Sequence, residues 1–160
     1  MKYVVVDTDV FSLLFRGQDV DLYRRHLNGT VPALSFASVG ELHYGAVRAG
    51  WGERRRQSLE EAIRRYVVAP YNEEVAKLWG TLKAQAANAG HPLGAATQTN
   101  DLWVATTAIY HDAPLLTANR RHFENFPACR SRPSLNPSDR DLRRKPPGRH
   151  TERQASGRGS

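Results

Sequence analysis

Four side chains in this 160-residue sequence are of the right type to do chemistry together: Asp7, Glu41, Asp101 and Asn119. Asp7 ends the apolar run in "VVVDTDVFSLLF", with Asp9 two residues on. Glu41 lies in "SFASVGELHYGA", Asp101 opens "DLWVATTAIY", and Asn119 follows a last apolar run in "LLTANRRHF". Three carboxylates gathered without compensating cations raise one another's pKa values. A hard divalent cation relieves that repulsion, and Mg²⁺ or Mn²⁺ prefers oxygen ligands. Such a centre suits phosphodiester hydrolysis, with the cation activating a water and stabilising charge in the transition state.

Each residue also has a plainer reading. Asp is a good helix N-cap, which accounts for Asp7 or Asp9 without any site. Residues two apart at a helix start do not share a face, so only one of that pair enters a site. Asp7, at the strand's end, is the better candidate. Ser38-x-x-Glu41 matches a capping box; a helix beginning near Ser35 would instead put Glu41 two turns in, with Gly45 leaving space beside it. Asp101 heads a face continued by Val104, Ala105 and Ala108, and Thr99 or Asn100 is available to cap that helix. A carboxylate on so apolar a face needs a partner or a function. Asn119 is either a turn residue or a group that orients water. Thr117 is able to donate to a carboxylate or a phosphate. Arg120, Arg121 and His122 are phosphate contacts or a solvated turn, and Arg54, Arg55 and Arg56 read as a solvated helix face. His43 and Tyr44 flank Glu41 in no pattern that identifies an acid or base.

The elements needed to position these groups are legible in the periodicity. "YVVV" at 3–6 is continuously apolar, as in a strand covered on both faces. Helical spacing follows from Asp7 to Phe15 and again over about 19–28. "TVPAL" is a second strand, whose proline predicts an early or edge position. Helices are predicted over 35–49, 53–65, 72–89 and from Asp101 to about His111, with strands at "YVVAP" and "APLLTA". This alternation predicts an α/β fold, a three-layer α/β/α sandwich with a mostly parallel sheet of four to five strands. Such sheets place their sites at the carboxyl ends of the strands, where each of the four candidates falls.

Composition bounds the rest. The net charge is +7, but residues 130–160 carry +6 of it, leaving +1 for 1–129. The segment from Pro127 is rich in Pro, Ser, Gly and Arg, with only two Leu, and is expected to be a disordered basic tail. It is either a weak electrostatic contact for nucleic acid or simply solvated. The expected division is a catalytic domain over 1–127 and a tail over 128–160. Cys129 is the single cysteine, which excludes an intrachain disulfide and favours a cytoplasmic setting. No apolar run approaches membrane-spanning length.

The ordered set "VVVDTDVFSLLF", "LSFASVGELHYGA" and "NDLWVATTAIYHDAPLLTANRRHF" resembles the PIN-domain ribonucleases, specifically the VapC-type toxins of bacterial toxin–antitoxin pairs. The resemblance covers residues 1–127. It implies a PIN-like fold, Mg²⁺- or Mn²⁺-dependent endoribonuclease activity, homodimerisation and neutralisation by a cognate antitoxin. Asp7, Glu41 and Asp101 take the positions of that family's metal ligands, Asn119 the fourth site position, and Thr8 the small hydroxyl residue after the first Asp. Thr8, Thr117, Arg120 and Arg121 become candidate substrate contacts. Family substrates are structured RNAs, frequently tRNA or ribosomal RNA. Three departures stand out: Asp9 where Asn is common, Asn119 where Asp is common, and "ACRSRPSLNPSD" where a short final strand is usual. Two rival readings are a haloacid-dehalogenase-like phosphatase with Asp7 as nucleophile, suggested by Asp-x-Asp, and a non-catalytic RNA-binding module. The phosphatase lacks a suitable lysine and a later acidic pair.

Overall fold

The computed structural model describes residues 2–126. The tail at 128–160 and the expected final strand lie outside those residues. The elements run β1 (Lys2–Val6), α1 (Thr8–Phe15), α2 (Val20–Leu27), β2 (Thr30–Leu34), α3 (Phe36–Arg48), α4 (Glu53–Ile63), β3 (Val67–Val68), α5 (Glu73–Asn88), α6 (Thr99–Tyr110), β4 (Leu115–Leu116) and α7 (Arg120–Phe123). Among the described residues four strands form one sheet in the order β3-β2-β1-β4, every neighbouring pair parallel.

The valine run of β1 explains the layering. Val4 and Val6 face a core completed by Val10, Phe11, Leu34, Leu59 and Ile63, while Val5 faces another built from Leu82, Leu93, Leu102, Val104 and Phe126. Alternate side chains of a strand point to opposite faces, so one continuous apolar strand seeds both cores. Helices α1 to α4 cover one face, and α5, α6 and α7 the other.

Pro32 fits the early position expected of it, ahead of the β2–β3 ladder, but not the edge. It sits in β2, which is paired on both sides and is therefore interior rather than at an edge. The strand tolerates it because pairing with β3 begins only at Ala33, opposite Val67. A proline lacking an N–H is harmless where the ladder has not started.

The caps also sort the acidic residues. Ser35 caps α3, its hydroxyl oxygen accepting from the Ser38 N–H at 3.0 Å, so the Ser38–Glu41 capping box is not used and Glu41 falls in the second turn. Asn72 caps α5 by accepting from the Val75 N–H at 3.0 Å. Neither Thr99 nor Asn100 caps α6: the position belongs to Gln98, and the Thr99 hydroxyl bonds back to the Ala96 carbonyl. The stretch between α5 and α6, read from sequence only as polar, folds into two 3-10 turns, Pro92–Gly94 and Ala96–Gln98.

Candidate active site

Asp7 leaves β1 at its carboxyl end, its N–H donating to the Leu116 carbonyl at 2.9 Å. It occupies the N-cap position of α1, yet its side chain makes no capping bond. Its carboxylate, only 5% exposed, instead accepts a 2.7 Å hydrogen bond from the Thr117 hydroxyl. The Thr117 oxygen in turn accepts from the Asn119 N–H at 3.0 Å. This relay joins the exits of β4 and β1, and it has a clear local origin. The parallel β1–β4 pairing sets Val6 beside Leu116, so the next residue of each strand meets its counterpart.

Burial pushes the Asp7 carboxyl up to about 7 from an ordinary value of 3.8; the Thr117 bond offsets part of this, and the charges of Asp101 and Asp9 add to it. Asp101, in the first turn of α6, is also raised, first by burial and then by Glu41 and Asp9. His122 opposes that rise, its Nδ1 lying 3.1 Å from Asp101 Oδ2. The mutual charge effects tie Asp7, Asp9, Glu41 and Asp101 into one electrostatic cluster. Among the described residues they are not drawn into a group of three or more ligands able to hold an ion.

Glu41 and exposed Asp9 line a cleft of about 300 Å³ with Thr8, Gly45 and Trp51. A Cβ at Gly45 would meet nothing within 4 Å, so the space beside Glu41 is open. The Thr8 hydroxyl is buried and has no hydrogen-bond partner among the described residues. Asn119 is exposed at the start of α7, Arg120 pairs with Glu124 at 3.2 Å, and Arg121 is exposed. Arg56 pairs with Glu53, and Arg55 lies 3.8 Å over the Trp51 ring. His43 and Tyr44 are exposed, and the Tyr44 hydroxyl accepts from Arg48.

His122 is the residue that sequence reasoning placed differently, as a phosphate contact or part of a solvated turn. The short helix α7 turns it back onto Asp101, three residues after Asn119. Its half-buried ring next to a carboxylate is the feature that marks it, and the "NRRHF" spacing alone does not.

A parallel α/β sheet with an acidic cluster on its carboxyl rim defines a class of site suited to phosphodiester chemistry. The chain belongs to the PIN domain family, whose model matches residues 4–128. Ribonuclease VapC2 of Haemophilus influenzae is 26% identical over 132 residues, covering 82% of this chain and 96% of that protein. Ribonuclease VapC5 of Mycobacterium tuberculosis is 26% identical over 118 residues, covering 71% and 80%. The solved DNA-bound VapBC of Salmonella typhimurium superposes with a TM-score of 0.69 at 26% identity, covering 80% of this chain and 95% of that one. VapBC2 from Rickettsia felis, bound to a promoter DNA fragment, shares the fold with a TM-score of 0.67 at 22% identity, over 79% and 94%. Membership of this family replaces the phosphatase reading.

Proposed function

We propose that the chain is a metal-dependent endoribonuclease acting as the toxin of a toxin–antitoxin pair, with its catalytic domain over residues 1–127. The observation that carries the reading is Asp7: a buried carboxylate held by Thr117, raised to about 7 by burial and further by the charges of Asp101 and Asp9. Burying such a group in charged form among like charges is unfavourable, and above about pH 7 a cation rather than a proton must relieve it. The donors at this rim are oxygens, which fits Mg²⁺ or Mn²⁺. Asp7, Glu41 and Asp101 would hold the ion, once drawn closer together than they stand here. Bound there, it supplies an activated water and neutralises charge on the phosphoryl oxygens.

The remaining work falls to the protein. Thr117 fixes the Asp7 carboxylate in one orientation. His122 holds Asp101 and limits its rotation. Asn119, exposed beside the relay, would orient water or a phosphate oxygen, and Thr8 lines the cleft with its hydroxyl turned inward. Arg121, exposed on α7, and Arg120 beside it would meet the RNA backbone. An antitoxin partner is supported by the toxin–antitoxin complexes among the structural neighbours. Pairing with a second copy is supported by Tyr44 and Val47, apolar and exposed one turn apart on α3. Among the described residues no helix is long and apolar enough to cross a membrane.

The test is cleavage of RNA by the purified chain with Mg²⁺ or Mn²⁺ and after EDTA. Cleavage is expected only with the cation. Asp7→Asn is expected to abolish it while leaving the circular dichroism spectrum unchanged. Full activity of that variant, or of the EDTA-treated chain, would remove the metal-site assignment.

A further inference from the structure

A cluster of aromatic rings shares the carboxyl rim with the acids and plays no part in the chemistry above. Phe36 is the first residue of α3, Tyr71 follows β3, and Trp103 stands two residues beyond Asp101 on α6. Their ring centroids are mutually close: 4.7 Å for Phe36–Tyr71, 5.0 Å for Phe36–Trp103 and 5.8 Å for Tyr71–Trp103. Trp103 also stacks on Trp79 of α5 at 4.9 Å, and the Lys83 ammonium lies 4.8 Å from the Trp79 ring centre.

Core packing explains one end of this array and not the other. Trp79 packs against the buried cluster beneath α5 and α6. Tyr71 is 55% exposed and Phe36 38% exposed. Strand order gives the array a direction. Asp7 leaves β1, Phe36 follows β2 and Tyr71 follows β3, and these strands are neighbours in that order. At about 4.8 Å per strand interval, the rings lead away from the carboxylates over roughly 10 Å along the rim.

We propose that Phe36, Tyr71 and Trp103 form a stacking platform for an unpaired base of the RNA, next to the phosphate positioned at the carboxylates. The inference rests on the nuclease reading and narrows its substrate to a single-stranded segment or loop. The body itself offers little charge to hold RNA: residues 1–129 carry a net +1, and the rim is acidic. Stacking needs no charge, accepts any base, and demands that the base be unpaired.

The experiment uses the full chain carrying Asp7→Asn, which leaves RNA uncut, and a short single-stranded RNA containing 2-aminopurine. Binding is expected to quench the probe. Adding Tyr71→Ala is expected to weaken binding by about ten- to a hundredfold and abolish the quenching. Adding Tyr71→Trp restores both. The same Tyr71→Ala change in the otherwise unaltered chain raises KM for RNA cleavage. Unchanged affinity and quenching in Tyr71→Ala overturn the platform and leave the nuclease reading intact. A change of mass by light scattering in Tyr71→Ala, with RNA affinity unaltered, also overturns it and assigns the rings to a contact between two copies. Failure of the unaltered chain to cleave any RNA removes the nuclease reading, and the platform with it.

Discussion

Asp7 is the residue on which fold and chemistry meet, and its burial has a thermodynamic sign. Unfolded, its carboxyl titrates near 3.8; folded and without a cation, at about 7. Below about pH 4 both states are protonated and the group contributes nothing. Between these values the folded chain binds a proton that the unfolded chain has lost, so stability falls as pH rises. Above about pH 7 the penalty is complete, at most about 4 kcal/mol. Asp7→Asn lacks this titration. In EDTA its stability relative to the unaltered chain should therefore grow from pH 4 to pH 7 and level off above, as read by urea denaturation. Mn²⁺ should stabilise the unaltered chain and not the variant. Thr117→Val keeps the volume but removes the hydroxyl that orients Asp7. The Mn²⁺ concentration needed for half-maximal cleavage should rise about 10- to 100-fold. An unchanged requirement would mean that Thr117 does not position the ligand.

At the scale of elements, the rim is assembled by short pieces that depend on close approach. Gly94 ends the 3-10 turn over Pro92–Gly94, pressed against α5. A Cβ there would stand 2.5 Å from the Ala87 backbone nitrogen. Backbone cannot swing aside as a flexible side chain would, so Gly94→Ala should destabilise the chain by about 1–3 kcal/mol in urea denaturation. That turn packs against both α5 and α6, the helix carrying Asp101 and Trp103, so the wedge bears on the site as well as on stability. Periodicity made the long helices and the valine-rich strand readable. It could not reveal this wedge, because what identifies Gly94 is the distance to a segment of another element. Pro32 is a similar case: its interior position is permitted by where the β2–β3 pairing starts, a fact of register that proline's own chemistry does not contain.

For the whole molecule, the charge is divided between a nearly neutral body and a basic segment over 130–160. We propose that catalysis belongs to the body. A chain truncated at Pro127 should retain cation-dependent cleavage, measured on the same RNA. Its affinity should depend less steeply on salt, because fewer cationic side chains displace counterions. Loss of all cleavage in a truncated chain that still folds would place part of the catalytic machinery in the tail.

The sequence by itself determined the α/β alternation, the strand-end positions of Asp7 and Asn119, and the candidacy of Glu41 and Asp101, because these follow from local periodicity and from how helices begin. Only the tertiary structure decided which plain readings fell away. Asp7 turned from the helix it precedes to the Thr117 hydroxyl, 110 positions along the chain. His122 faced a carboxylate instead of solvent, and three rings from separate elements came together beside the acids. Each of these depends on which strands become neighbours. That is settled by burying both faces of β1 at once, and no short window of sequence contains it.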